Sequence, residues 1–145
     1  MRDIQFDWNE ETSVATCTIQ HDDNRTIFIG EAYCHEDDMD MISPRTGQEI
    51  AYKRAKIKQL QFIKNCEIKP KLAALKHLYG CMAHSSKFNP SSYENTMLQR
   101  QIRFLEDDLA TVNEMIQYER KNLKVYVDDK DRMYKHIRMQ RKGQN

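Results

Sequence analysis

Residues 98–137 read LQRQIRFLEDDLATVNEMIQYERKNLKVYVDDKDRMYKHI, and the spacing of their apolar side chains decides the fold. Leu98, Ile102, Leu105, Leu109, Val112, Ile116, Glu119, Leu123, Tyr126, Lys130, Met133 and Ile137 recur alternately four and three residues apart. A heptad with largely apolar a and d positions belongs to a helix that pairs with another helix along a left-handed seam. No Pro or Gly interrupts the stretch between Ser91 and Arg141, and Pro90, with Asn89 and the serines around it, suits a helix start. The expected helix covers 90–141, and about 50 residues at 1.5 Å each reach about 75 Å. A small sheet cannot bury so long a stripe. The first helix of the chain is expected to cover part of it as a hairpin partner, and a second copy to cover the rest. Val125-Tyr126-Val127 followed by Asp128-Asp129 is its weak point, where a kink or an end is expected.

Upstream of this helix, the spacing predicts another over 44–83. Ser43-Pro44 suits an N-cap followed by the first helical position. Ile50, Ala51, Ala55, Ile57, Leu60, Phe62 and Ile63 mark its apolar side, with Lys53, Lys56, Lys58 and Lys64 opposite. Pro70 removes an amide donor and is expected to break or kink the run. Leu72, Leu75, Leu78, Tyr79 and Met82 continue the apolar stripe. His84–Asn89 (HSSKFN) then reads as a loop.

The first 34 residues read as strands. Ile4, Phe6 and Trp8 alternate with Asp3, Gln5 and Asp7 at period two. Thr12–Gln20 is dense in β-branched residues, and Arg25–Cys34 forms a third run. The connections at Asn9-Glu10 and at His21–Asn24 are short, so the three strands predict an antiparallel meander. The whole is an α+β fold in one domain, 1–145. It comprises a β-meander at 1–34, helix one at 44–83 and the long amphipathic helix at 90–141.

Composition narrows the function classes. The chain has 145 residues with 31% charged, and 23 basic against 22 acidic side chains. A protein that neutralises duplex phosphates carries a clear basic excess, so duplex nucleic acid is not an expected partner. No apolar run approaches 20 residues, which argues against a membrane span. The four cysteines at 17, 34, 66 and 81 lack CxxC spacing. Free thiols in a reducing cytosol are therefore expected, with Cys34 ending its strand towards the core.

Catalytic signatures are missing: there is no GxSxG, P-loop, HExxH or glycine-rich dinucleotide turn, and the chain has four glycines in all. The acidic run His35, Glu36, Asp37, Asp38 and Asp40 has carboxylates for a hard cation but not the order of an EF-hand loop. A solvated linker leading into helix one is the preferred reading, with no metal and no cofactor. The expectation is a protein without enzymatic activity.

One constellation holds binding chemistry. The loop carries hydroxyls, Lys87, Phe88 and Asn89, and Arg100, Arg103 and, further on, Arg120 follow on the long helix. Arginine forks grip phosphate, an aromatic ring stacks on a base, and Ser or Asn side chains bond a ribose. On spacing alone the same residues read as a hairpin turn plugged by Phe88, with its arginines solvated, and that plainer reading is preferred.

The stretch IGEAYCHEDDMD (29–40), followed by TGQEIAYKRAKIK (46–58), changes the balance. A strand with Gly-x-Ala-x-Cys, an acidic turn, and Gly-x-x-Ile-Ala-x-x-Arg-Ala opening a helix resembles the first described class of Thoeris anti-defence proteins. Those are phage sponges that sequester the cyclic ADP-ribose signal of bacterial TIR enzymes without cleaving it. By motif the resemblance covers roughly residues 25–60. It implies an oligomer assembled from dimers, in the host bacterial cytosol, with nucleotide pockets where chains meet. It implies that Lys87, Phe88, Asn89, Arg100 and Arg103 hold the ligand, with Arg25 from the sheet a further candidate. Within the motif Gly30, Ala51 and Ala55 read as close-packing positions, and Arg54 as a partner of the acidic turn. The alternative is a protein–protein interaction module acting through the coiled-coil helix.

Overall fold

The structure is a computed structural model that describes residues 3–33 and 43–143. Cys34 and the acidic run His35–Asp40 lie outside the described residues, and so does any pairing of Arg54 with that run. The fold is α+β, a three-stranded antiparallel sheet followed by helices. Its contacts divide into two compact units, one formed by Met1–Gln59 with Gln117–Asn145 and one by Leu60–Ile116.

The first unit is built on β1 (Ile4–Asn9), β2 (Val14–Gln20) and β3 (Ile27–Tyr33), in the order β1-β2-β3. The register sets Phe6 opposite Cys17 and Cys17 opposite Gly30. Alternation then puts Ala15, Cys17 and Ile19 on one face with Phe28, Gly30 and Ala32, and all six are buried. Polar side chains close the turns. Asn9 Oδ1 accepts from the amides of Glu11 and Thr12, and Asp23 Oδ1 accepts from those of Arg25 and Thr26. Ser13 and Asn24 take positive φ of 53° and 58° to complete them.

Helix α1 (Pro44–Phe62) covers the buried face. Ser43 caps it, its Oγ accepting from the Arg45 amide at 3.2 Å, with Pro44 at the first helical position. Ala51 and Ala55 are fully buried where the helix backbone meets Gly30, and Gly47 rests on Ala15 and Trp8. The basic side chains of α1 do more than face water. Arg54 Nη1 and Lys58 Nζ each donate at 2.6 Å to carbonyls of the edge strand β3, those of Glu31 and Ile29. Acceptors on that edge are thereby taken up, which limits further strand pairing. Gln59, also buried, meets His21 Nδ1 at 3.3 Å.

The second unit is a helical hairpin. It takes in the end of α1, a π-helical segment (Ile63–Ile68), α2 (Lys69–Ala83) and the first half of α3 (Tyr93–Gly143). The expected break at Pro70 falls just ahead of it. A proline ring collides with the carbonyl four residues back, here Cys66, and offers it no amide. Widening the preceding turn relieves both faults, and the Lys69 amide accordingly reaches the carbonyl of Lys64, five residues back. Leu60 and Ile68 form the core of this unit with Val112 and Ile116, and Ile63 and Leu109 pack against it. Between Leu109 and Ile116, the heptad stripe is therefore covered by the chain's own first helical run, the hairpin partner expected for part of it.

Helix α3 begins three residues later than the sequence suggested. Ser92 caps it, Oγ accepting from the Asn95 amide at 3.3 Å, and Asn89 Oδ1 takes the Ser91 amide in the turn before it. The kink or end expected at Val125–Asp129 does not occur, for α3 continues to Gly143. In the first unit Tyr126 is held by Glu49 and Thr46, with Lys53 and Lys130 over its ring at 5.7 and 5.4 Å. Packing at this residue outweighs the weak helix propensity of its valine neighbours. No helix among the described residues is long and apolar enough to cross a membrane.

Candidate functional site

The loop between α2 and α3 folds back on both helices. The Phe88 amide donates to the Ser85 carbonyl, and the Lys87 amide to Ser85 Oγ. These bonds set Phe88 edge-on against Tyr79 of α2, ring centres 5.7 Å apart at 84°. Tyr79 in turn accepts from Gln99 Nε2 of α3 at 2.7 Å. An aromatic pair and one amide thus tie the loop to both helices, while Lys87 stays exposed.

Asn95 is the residue the sequence reading missed. It is buried, and its Nδ2 donates to the Asn89 carbonyl at 2.6 Å. Its Oδ1 is buried too and has no hydrogen-bond partner among the described residues. A buried acceptor left unmatched costs about 1–3 kcal/mol, so such atoms mark places that receive a water or a ligand donor. Its only sequence signal was an amide in the first turn of a helix, where Asn commonly caps.

The helical repeat sorts the arginines. At about 100° per residue, Gln99 lies about 40° around α3 from Asn95, and Arg103 about 80°. Arg100 falls about 140° around the helix from Asn95. Ring contact and hydrogen bonds bring Phe88, Asn89, Asn95 and Gln99 together at the loop end of the hairpin, with Lys87 on the loop beside them. Arg103 stands between Asn95 and Arg100, about 60° from Arg100, and Arg25 belongs to the β2–β3 turn of the first unit. Lys76 and Glu106 bridge α2 and α3 at 3.3 Å, both well exposed. Arg103 is exposed and makes no ion pair among the described residues. Arg120 is exposed in the other half of α3, in the first unit.

Other chemistry is sparse. Among the described residues no three His, Cys, Asp or Glu side chains converge as a metal site. Cys17 is buried, and burial pushes its thiol up; Cys66 and Cys81 are exposed free thiols, with Cys81 Sγ 3.6 Å from His77 Nε2. On the flank of the hairpin away from the loop lies an open apolar groove of about 460 Å³, lined by Lys71, Ala74, Leu75, Gln101, Phe104 and Leu105. No protein-family model, curated protein or solved structure matches this chain.

Proposed function

We propose that this chain is a non-enzymatic binder that sequesters a small cyclic nucleotide, of the cyclic ADP-ribose kind, at the α2–α3 corner. The observation that carries the reading is Asn95, a buried amide whose Oδ1 lacks a donor, set against a loop that carries Lys87, Phe88 and Asn89. Arg103, two turns further along α3, supplies the charge and planar fork that a pyrophosphate requires. Phe88 offers an aromatic surface for a base, and the unmatched Asn95 oxygen accepts from a ribose hydroxyl or an exocyclic amine. The resemblance in residues 29–58 supports the same ligand class.

Binding without cleavage has a direct test. The protein is incubated with a cyclic ADP-ribose isomer, desalted and then denatured, and the released compound is weighed by mass spectrometry. Release of the unchanged cyclic compound is expected. A linear product overturns the non-enzymatic reading, and an empty protein overturns the ligand class. A second reading, a protein–protein interaction module, is favoured by the exposed apolar residues of α3, among them Phe104 and Tyr118.

A further inference from the structure

Helix α3 carries a second face, distinct from the buried heptad stripe, and it is exposed. Tyr93 is 76% exposed, Phe104 60% and Met115 42%, and Arg100 and Asp108 are exposed as well. At about 100° per residue these five fall within about 80° of arc. The centre of that face lies roughly 120° around the helix from Leu98 and Ile116 and roughly 80° from Val112, all of which pack inward. Phe104 also forms one wall of the apolar groove over Ala74 and Leu75 of α2.

The order of residues along this face is self-complementary. Tyr93 stands eleven positions before Phe104 and Met115 eleven after; Arg100 stands four before and Asp108 four after. An antiparallel helix pair with its two-fold axis at Phe104 therefore sets each Arg100 opposite the other copy's Asp108. The same operation sets each Tyr93 opposite the other copy's Met115 and the two Phe104 rings against one another. A two-fold interface requires one patch to complement itself in this way. A parallel pairing in register would instead stack Arg100 on Arg100 and Asp108 on Asp108, which like-charge repulsion disfavours.

We propose that the Tyr93–Met115 face of α3 docks on the same face of a second copy, antiparallel about Phe104, with the α2–α3 groove taking up the apolar side chains at its centre. The seam differs from the one the heptad spacing suggested, because part of that stripe is used within the chain. The inference stands apart from the nucleotide reading, since none of its contacts needs a ligand.

The test is a charge swap read by sedimentation equilibrium without nucleotide. The wild type is expected at twice the chain mass. Arg100→Asp and Asp108→Arg are each expected to weaken association roughly tenfold or more, and the double variant to restore most of it. Phe104→Asp, at an exposed position, is expected to give a folded monomer with unchanged helical circular dichroism. A wild type that stays monomeric up to about 100 μM overturns the proposal. So does a dimer indifferent to Phe104→Asp, or a double variant no tighter than the single ones. A complex with some other protein, formed by this face while the wild type alone stays monomeric, also overturns it.

Discussion

Gly30 and Ala55 meet so closely that a Cβ built on Gly30 would stand 2.5 Å from the Ala55 amide nitrogen and 3.0 Å from the Ala51 carbonyl carbon. The obstructing atoms are helix backbone, which cannot rotate away. The approach of α1 to the sheet is thus limited by the absence of one methyl group. Gly30→Ala is expected to force helix and sheet apart and cost about 3 kcal/mol or more. Urea unfolding measures it; a loss below about 1 kcal/mol would show that the contact is looser than described.

Val112 sits in the core of the hairpin with Leu60 and Ile68. Val112→Asp places an unpaired carboxylate there and is expected to remove several kcal/mol, a large part of a domain's margin. Because this stripe is covered within the chain, the loss is expected even at dilutions where no oligomer persists. Loss of oligomer with an unchanged melting temperature would point instead to a seam between chains.

The sheet was legible because period-two alternation and Asx turns are local. Ile4 and Trp8 on β1, the buried set on β2 and the Asn9 turn follow from a few neighbouring residues. The limits of the first helical run, Pro44 and Ala83, were legible from Ser43-Pro44 and the fading of the stripe. Heptad spacing, by contrast, says that a face is covered but not how the cover is shared: the first helix was expected over part of the stripe, but not that Leu60 and Ile68 would meet it at Val112 and Ile116. Pro70 announced a fault without telling that the turn before it would widen. Phe88 and Asn89 were visible as chemistry, but Asn95 emerges only once burial strips its Oδ1 of partners.

Asp23 holds the β2–β3 turn as a carboxylate. Hydrogen bonds from the Thr26 hydroxyl, then from the Thr26 and Arg25 amides, lower its pKa from 3.8 to about 2. A group whose pKa is depressed by folding stabilises the fold above its unfolded value, and that contribution fades as pH falls through the folded one. Stability is therefore expected to drop between about pH 4 and pH 2, and Asp23→Asn to flatten this part of the profile. Identical acid profiles for the two proteins would contradict the assignment.

Tyr126 behaves in the opposite sense at high pH. Desolvation, followed by its hydrogen bond to Glu49, pushes its phenol up from 10.0 to about 12. The folded state retains the proton where the unfolded chain would release it, so stability is expected to fall as pH rises from about 10 to 12. Absorbance titration should show a tyrosine ionising at about pH 12, and Tyr126→Phe should remove that step. A wild-type titration without a late step would contradict the packing at Glu49.

Calorimetric titration with cyclic ADP-ribose isomers tests whether the α2–α3 corner holds a cyclic nucleotide through Phe88, Asn95 and Arg103. Saturable binding of at least one isomer is expected, with affinity reduced tenfold or more in Phe88→Ala and Arg103→Ala, each contact being worth roughly 1–3 kcal/mol. No heat with any isomer, or binding that both variants leave unchanged, would contradict it.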